Sequence, residues 1–110
     1  MDIEQSVDGG VAVLSPSGRL NMVAAPQLKK TVDASVADGL ARIVVDLSGV
    51  EFIDSSGLGA LIGGLKTARQ ASGDLRIAGA GEQVRTVLGL TNLDRILKPY
   101  ADVTEARHGW

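Results

Sequence analysis

The residues with the greatest chemical potential form one short run, Asp54-Ser55-Ser56-Gly57-Leu58-Gly59. Its carboxylate and its two hydroxyls are good helix N-caps, because each can accept a hydrogen bond from a free N–H group of the first turn. Its two glycines leave that turn without side chains, although each weakens a helix by about 1 kcal/mol relative to alanine. One interpretation is a place where a second surface approaches the backbone closely. The other, which the pattern alone favours, is a doubled N-cap beside a tight packing contact.

Two glycine-rich stretches resemble nucleotide-binding motifs, and neither is complete. Residues 59–67 end in Lys-Thr, but Leu65 stands where a phosphate-binding loop needs glycine. Residues 79–84 follow a predicted strand and open a predicted helix, but Val84 replaces the third glycine of a dinucleotide fingerprint. Ordinary loop glycines explain both stretches better. They therefore argue against a small nucleotide-hydrolysing enzyme.

Titratable and nucleophilic side chains give little support to catalysis. Asp46, Glu51 and Asp54 cluster around the end of a predicted strand, but no histidine is placed to tune them. His108 is the single histidine, and the chain has no cysteine, so no triad, reactive thiol or thiolate metal site is expected. We therefore expect no enzyme activity, no cofactor and no metal.

Composition excludes several classes of partner. The 110 residues correspond to one domain, of which 45% are hydrophobic and 3% aromatic, with a net charge of −2. Nucleic acid is not an expected partner, because there is no basic excess to attract phosphates and there are few rings on which bases could stack. No apolar run approaches the roughly 20 residues that span a bilayer, so no membrane insertion is expected. The start lacks the pattern of a signal peptide, and a cytoplasmic location is expected.

The elements that must position residues 54–59 follow from hydrophobic periodicity. Two short strand patterns around Asp8-Gly9-Gly10 predict a β-hairpin. Residues 15–18 are expected to break the second strand or to place it at an edge. An apolar stripe with a spacing of four predicts a helix that begins at Pro26, with Gly39 just past its end. The unalternating apolar run 43–45 predicts a central parallel strand.

The second half of the chain begins with the clearest helix. Ser72-Gly73 marks its end. Its apolar residues follow helical spacing and are Leu58, Leu61, Ile62 and Leu65. A strand at 75–78 and a third helix follow, with Asn92 as a left-handed cap. A further helical turn precedes Pro99. Residues 101–105 are expected to add a last edge strand, and residues 107–110 to form a frayed tail.

This alternation of strands and helices predicts an α/β fold. We expect one domain over residues 1–106, with a mixed and mostly parallel sheet of four to five strands. An N-terminal β-hairpin and three to four helices complete the predicted architecture.

At residues 44–59 the sequence Val-Val-Asp-Leu-Ser-Gly-Val-Glu-Phe-Ile-Asp-Ser-Ser-Gly-Leu-Gly closely resembles the signature of STAS domains. Within that group it is similar to the bacterial anti-sigma-factor antagonists of partner-switching systems. A second block at residues 75–94 agrees with the family, as does Gly18-Arg19-Leu20-Asn21. The resemblance covers nearly the whole chain in the expected order.

The resemblance implies a binding switch. In this family the unmodified antagonist binds an anti-sigma factor that is also a serine kinase, and this frees a sigma factor for RNA polymerase. Phosphorylation of the serine after the aspartate, here Ser55, releases the antagonist, and a PP2C-type serine phosphatase restores it. The partner-binding surface implied around Ser55 consists of Asn21, Met22, Asp54, Ser56, Gly57, Leu58 and Gly59. We expect the protein to be a monomer or a weak dimer.

Asn21 departs from the family pattern, which commonly has an aspartate after Gly-x-Leu. The resemblance places this position close to the phosphorylated serine. Two interpretations stay open: the neutral amide changes the phosphorylation, or it makes only the local hydrogen bonds that an aspartate would make. The departure also leaves an alternative function open, that of a STAS subunit that braces the ATPase of an ABC-type lipid-transport complex.

Overall fold

Six strands and four helices make up the fold, which a computed structural model describes over all 110 residues. The strands are β1 (Asp2–Asp8), β2 (Val11–Leu20), β3 (Arg42–Asp46), β4 (Gly49–Ile53), β5 (Asp74–Ala78) and β6 (Pro99–Tyr100). The helices are α1 (Ala25–Ala37), α2 (Ser55–Gln70), α3 (Glu82–Leu90) and α4 (Val103–Ala106), with a 3₁₀ turn at Leu93–Arg95. The predicted α/β class, the N-terminal hairpin and the mostly parallel sheet are confirmed. The sheet has one strand more than the upper expected number.

The sheet is mixed and has the order β1-β2-β3-β5-β6. β1 pairs antiparallel to β2 through a tight turn in which Gly9 and Gly10 both have positive φ. A two-residue hairpin turn of type I′ requires positive φ at both of its central residues. All other pairs are parallel. β3 lies between β2 and β5, which confirms the predicted central strand.

β2 is neither broken nor placed at an edge by residues 15–18, contrary to the expectation. It pairs with β1 along seven residues on one side, while on its other side β3 pairs with Val11–Leu14 and β4 with Ser17–Leu20. Pro16 lies in the gap between these two parallel pairings. The missing N–H of proline is therefore tolerated in the interior of the sheet, because neither β3 nor β4 pairs with that residue.

β4 itself was missed by the sequence analysis. Periodicity predicts no element at Gly49–Ile53, the five residues between Ser48 and Asp54. In the structure they pair with β2, and α2 begins two residues after Ile53. The physical reason is that so short a strand, of which only Val50 and Ile53 are buried, is specified by its neighbour and not by its own periodicity.

The principal core lies between the sheet and the helices α1, α2 and α3. The central strand shows the burial clearly, since Ile43, Val44 and Val45 are all fully buried. Ile43 and Val45 face the principal core, whereas Val44 faces a smaller cluster with Ala106 of α4 on the opposite side of the sheet. None of the helices is long and apolar enough to cross a membrane.

The C-terminal region differs from its prediction. The last strand is Pro99–Tyr100 beside β5, and residues 103–106 form α4 with Asp102 as its N-cap, so the edge strand expected at 101–105 was wrong. Of residues 107–110, Arg107 and Trp110 contact the strands, and His108 and Gly109 are exposed. Arg107 donates to the carboxylate and to the carbonyl of Asp8, and the Arg76 guanidinium stacks 4.0 Å from the Trp110 ring. These partners come from distant strands, so local sequence gave no sign of them.

Candidate functional site

The candidate site forms where two parallel strands end at the same level. Leu20, the last residue of β2, pairs with Ile53, the last residue of β4. The next N–H group, that of Asp54, still donates to the Leu20 carbonyl at 3.4 Å. The loop that begins at Asn21 and the start of α2 at Ser55 therefore leave the sheet side by side.

Asp54 is the N-cap of α2, as its residue type predicts. Its backbone is extended, and its Oδ1 accepts a hydrogen bond from the Gly57 N–H at 2.9 Å. Its carbonyl accepts from the Leu58 N–H at 3.0 Å and so begins the helical ladder. A carboxylate at this position is also favoured by the positive end of the helix dipole.

Ser55 is the first residue of α2 and is exposed. Its own N–H and that of Ser56 make no hydrogen bond within the domain, since the Asp54 cap engages Gly57 and Leu58. Two unpaired N–H groups therefore remain beside the Ser55 hydroxyl. Such groups at a helix start favour a negative charge.

The two glycines of the first turns have opposite surroundings. A Cβ on Gly57 would lie 2.3 Å from the Leu20 carbonyl oxygen, so this glycine allows α2 to sit against the end of β2. A Cβ on Gly59 would meet nothing within 4 Å, and this residue is exposed. Packing against β2 thus explains why residue 57 is glycine. No packing contact within the domain requires glycine at position 59.

Leu58 lies beneath the site and is not part of its exposed surface. It is 4% exposed and packs in the principal core. Of the residues named from the sequence, those of α2 that reach solvent are Ser55, Ser56 and Gly59.

The neighbouring loop presents two apolar side chains to solvent. Met22 is 72% exposed and Val23 is 82% exposed, which is unusual for consecutive apolar residues beside a charged helix start. Asn21 shapes this loop, because its Oδ1 accepts hydrogen bonds from the N–H groups of Val23 at 3.1 Å and Ala24 at 3.2 Å. The structure therefore gives the Asn21 side chain a local role at the start of α1.

Gln83 is a contributor that sequence reasoning missed. It lies in the first turn of α3, and its side-chain amide bonds both the N–H and the carbonyl of Ile53. Thirty residues separate the two positions, and a lone glutamine on a helix carries no local signal of such a partner. Arg19 belongs to the run that resembles the family, but no role was predicted for it; its guanidinium stacks 4.1 Å from the ring of Phe52.

The remaining sequence candidates have structural roles. Lys66 lies inside α2, far from the helix start where a phosphate-binding lysine would be needed. Asp46 accepts a hydrogen bond from the Ser48 N–H at 3.0 Å and stabilises the turn before β4. Gly79 has a positive φ and lies against this same turn.

A model of the STAS domain family matches residues 2–106, that is, nearly the whole chain. The chain belongs to the STAS domain family. The predicted family is thereby confirmed.

Curated relatives of this STAS domain carry related names. A Thermotoga maritima protein named as a candidate anti-sigma factor antagonist is 40% identical over 97 residues, which cover 87% of this chain and 86% of the relative. The anti-sigma-B factor antagonist of Staphylococcus aureus is 27% identical over 97 residues, covering 88% and 90%.

Solved structures agree with the fold. The crystal structure of the Thermotoga maritima protein has a TM-score of 0.88 and 36% identity, and the match covers 94% of this chain and 90% of that one. An anti-sigma factor antagonist from Mycobacterium paratuberculosis has a TM-score of 0.85 and 33% identity, with 96% and 89% covered. This STAS domain is therefore similar over its full fold to proteins named as antagonists.

The two glycines of α2 give a paired stability test. Gly57→Ala places a methyl group against a backbone carbonyl and should destabilise the domain by about 1–3 kcal/mol, the usual cost of overpacking. Gly59→Ala adds a methyl group in open space within a helix and should stabilise by up to about 1 kcal/mol. Urea unfolding followed by circular dichroism measures both changes. Equal effects in the two variants would contradict the packing role of Gly57.

Proposed function

We propose that this STAS domain is an anti-sigma-factor antagonist whose binding is controlled at Ser55. The unmodified protein binds an anti-sigma factor that has serine-kinase activity, and phosphorylation of Ser55 releases it. The observation that carries the proposal is an exposed serine at the start of α2, next to two unpaired N–H groups and an exposed apolar loop. The names of the similar proteins support the same role.

The fold can accept a phosphate on Ser55 without rearrangement. A phosphoserine adds about −1.5 to −2 charges at pH 7. At the first position of α2 this charge meets the helix dipole and the unpaired N–H groups of Ser55 and Ser56, both of which favour an anion. Ser55 itself is exposed, and α2 enters the interior only at the buried Gly57 and Leu58.

The same phosphate opposes docking. Met22 and Val23 provide apolar area that gains free energy only when a partner covers it. A phosphate in that covered area loses its hydration and lies next to the Asp54 carboxylate. Release therefore needs local repulsion and bulk and no change of fold.

The proposal defines the remaining partners. A PP2C-type serine phosphatase removes the phosphate, and the protein itself is a non-enzymatic, cytoplasmic binding module that acts as a monomer or weak dimer. The alternative role in an ABC-type lipid-transport complex has no observation in its favour, since the relatives described above are named as antagonists.

The first test identifies the partner and the modified residue. Ser55→Ala should remain bound to its kinase in the presence of ATP, because it cannot accept the phosphate, whereas the wild type should be released. The kinase captured with Ser55→Ala is then incubated with the wild type and ATP, and the phosphate is located by mass spectrometry. Ser56→Ala is the matched control and should still be phosphorylated and released. Phosphate found mainly on Ser56 would contradict the assignment.

A second test separates charge from folding. Ser55→Asp should weaken binding to the captured kinase while the melting temperature stays near that of the wild type, because a carboxylate in the first turn stabilises a helix by about 0.3–1 kcal/mol. Ser6→Asp adds the same charge on exposed β1 and should bind normally. Normal affinity of Ser55→Asp would argue against a charge-controlled interface.

A third test asks whether a partner approaches Gly59. Gly59→Ala should bind the captured kinase less tightly even though it unfolds at a higher urea concentration, because its methyl group lies on the surface that the partner covers. Gly89→Ala adds a methyl group on exposed α3, also in open space, and serves as the control. Unchanged affinity, measured by calorimetry, would exclude Gly59 from the interface.

A further inference from the structure

A side chain from α3 holds the strand end that leads to Ser55. The Oε1 atom of Gln83 accepts a hydrogen bond from the Ile53 N–H at 2.9 Å. Its Nε2 atom donates to the Ile53 carbonyl at 3.0 Å. Both backbone groups of the last β4 residue are therefore bonded to one amide.

The Gln83 amide makes the hydrogen bonds that a further strand beside β4 would otherwise make. β4 pairs with β2 on one side and has no strand on the other. The N–H and carbonyl of Ile53 point to that open side, where Ile53 itself is buried and an unpaired polar group would be costly. A glutamine amide carries the same donor and acceptor as a peptide group, so Gln83 satisfies both at once.

At the last residue of β4, Gln83 adds two hydrogen bonds to those that the neighbouring strand supplies. On the inner side, the bond from the Asp54 N–H to Leu20 is 3.4 Å long, at the outer limit for a hydrogen bond. The two Gln83 bonds are at the usual length and fix the residue immediately before Asp54. Gln83 therefore restrains the start of α2 from the outer side, while the contact between Gly57 and Leu20 restrains it from the inner side.

The glutamine is itself firmly placed. It is the second residue of α3, and the next residue, Val84, is buried in the principal core together with Leu88 one turn later. The Gln83 side chain therefore links α3 to Ile53, two residues before the start of α2.

We propose that Gln83 is a positioning residue for the phosphorylation of Ser55, a role that rests on the function proposed above. It fixes the β4–α2 junction so that the Ser55 hydroxyl is presented in one orientation to the kinase. Glutamate keeps the acceptor for the Ile53 N–H but sets a carboxylate against the carbonyl. Leucine removes both bonds at similar size.

The first measurement needs no partner. Amide hydrogen exchange by NMR is compared for the wild type, Gln83→Leu, Gln83→Glu and the control Gln70→Leu, an exposed glutamine whose side chain makes no hydrogen bond. In Gln83→Leu, exchange at Ile53 should rise about tenfold relative to Val44 in the central strand, the size expected for the net loss of one hydrogen bond. Gln83→Glu should show a smaller rise, and Gln70→Leu none. A rise shared equally by Val44, or no rise at Ile53, would overturn the proposal.

The second measurement uses the kinase captured with Ser55→Ala. For Gln83→Leu, the kcat of Ser55 phosphorylation should fall while KM stays unchanged, because Gln83 bonds the backbone of Ile53, makes no contact with the kinase and orients the acceptor. Gln83→Glu remains informative if the leucine variant folds poorly. A rise in KM alone, or kinetics equal to those of the wild type, would overturn the positioning role. If no kinase modifies the wild type, the proposed function fails, whereas the exchange result still decides whether Gln83 holds the junction.

Discussion

The contact between Gly57 and the carbonyl of Leu20 is the constraint on which the candidate site depends. It brings the first turn of α2 against the end of β2, where any larger residue would collide with the backbone. Because β2 and β4 end together at Leu20 and Ile53, this contact places the start of α2 beside the loop that precedes α1. The start of α2 at Ser55 and the loop that begins at Asn21 thereby leave the same end of the sheet, although more than thirty residues separate them in the chain.

The site combines a rigid base with an open surface. Gly57, Leu58 and Ile53 are buried, and Gln83 and Asp54 bond the backbone around them. Above this base, Ser55 and Gly59 face solvent without any contact that a modification would break. A switch built in this way can change its surface charge while its fold stays constant, since the added anion meets unpaired N–H groups and not the core.

Local chemistry accounts for the parts that the sequence predicted correctly. Two glycines with positive φ produce the hairpin turn, the four-residue stripe buries one face of α1, and Asp54 caps α2 through its own side chain. β4, α4 and the contacts of the C-terminus were not predicted, because their partners lie far away in the chain: β2 for the strand, Val44 for Ala106 of α4, and Asp8 and Arg76 for Arg107 and Trp110. Patterns within a short window carry no information on such partners.

The sequence by itself determined the family, the α/β alternation and the serine at a helix start, since these depend on residue types within a few positions of each other. Only the tertiary structure decided what each residue of that run does. It showed that Gly57 is needed by the fold and Gly59 is not, that Leu58 supports the site from the core, and that Asn21 shapes its own loop. It also brought Gln83 to Ile53. The physical reason is that close approach, burial and the pairing of a strand's open edge are properties of the space between elements, which exists only once the chain has folded.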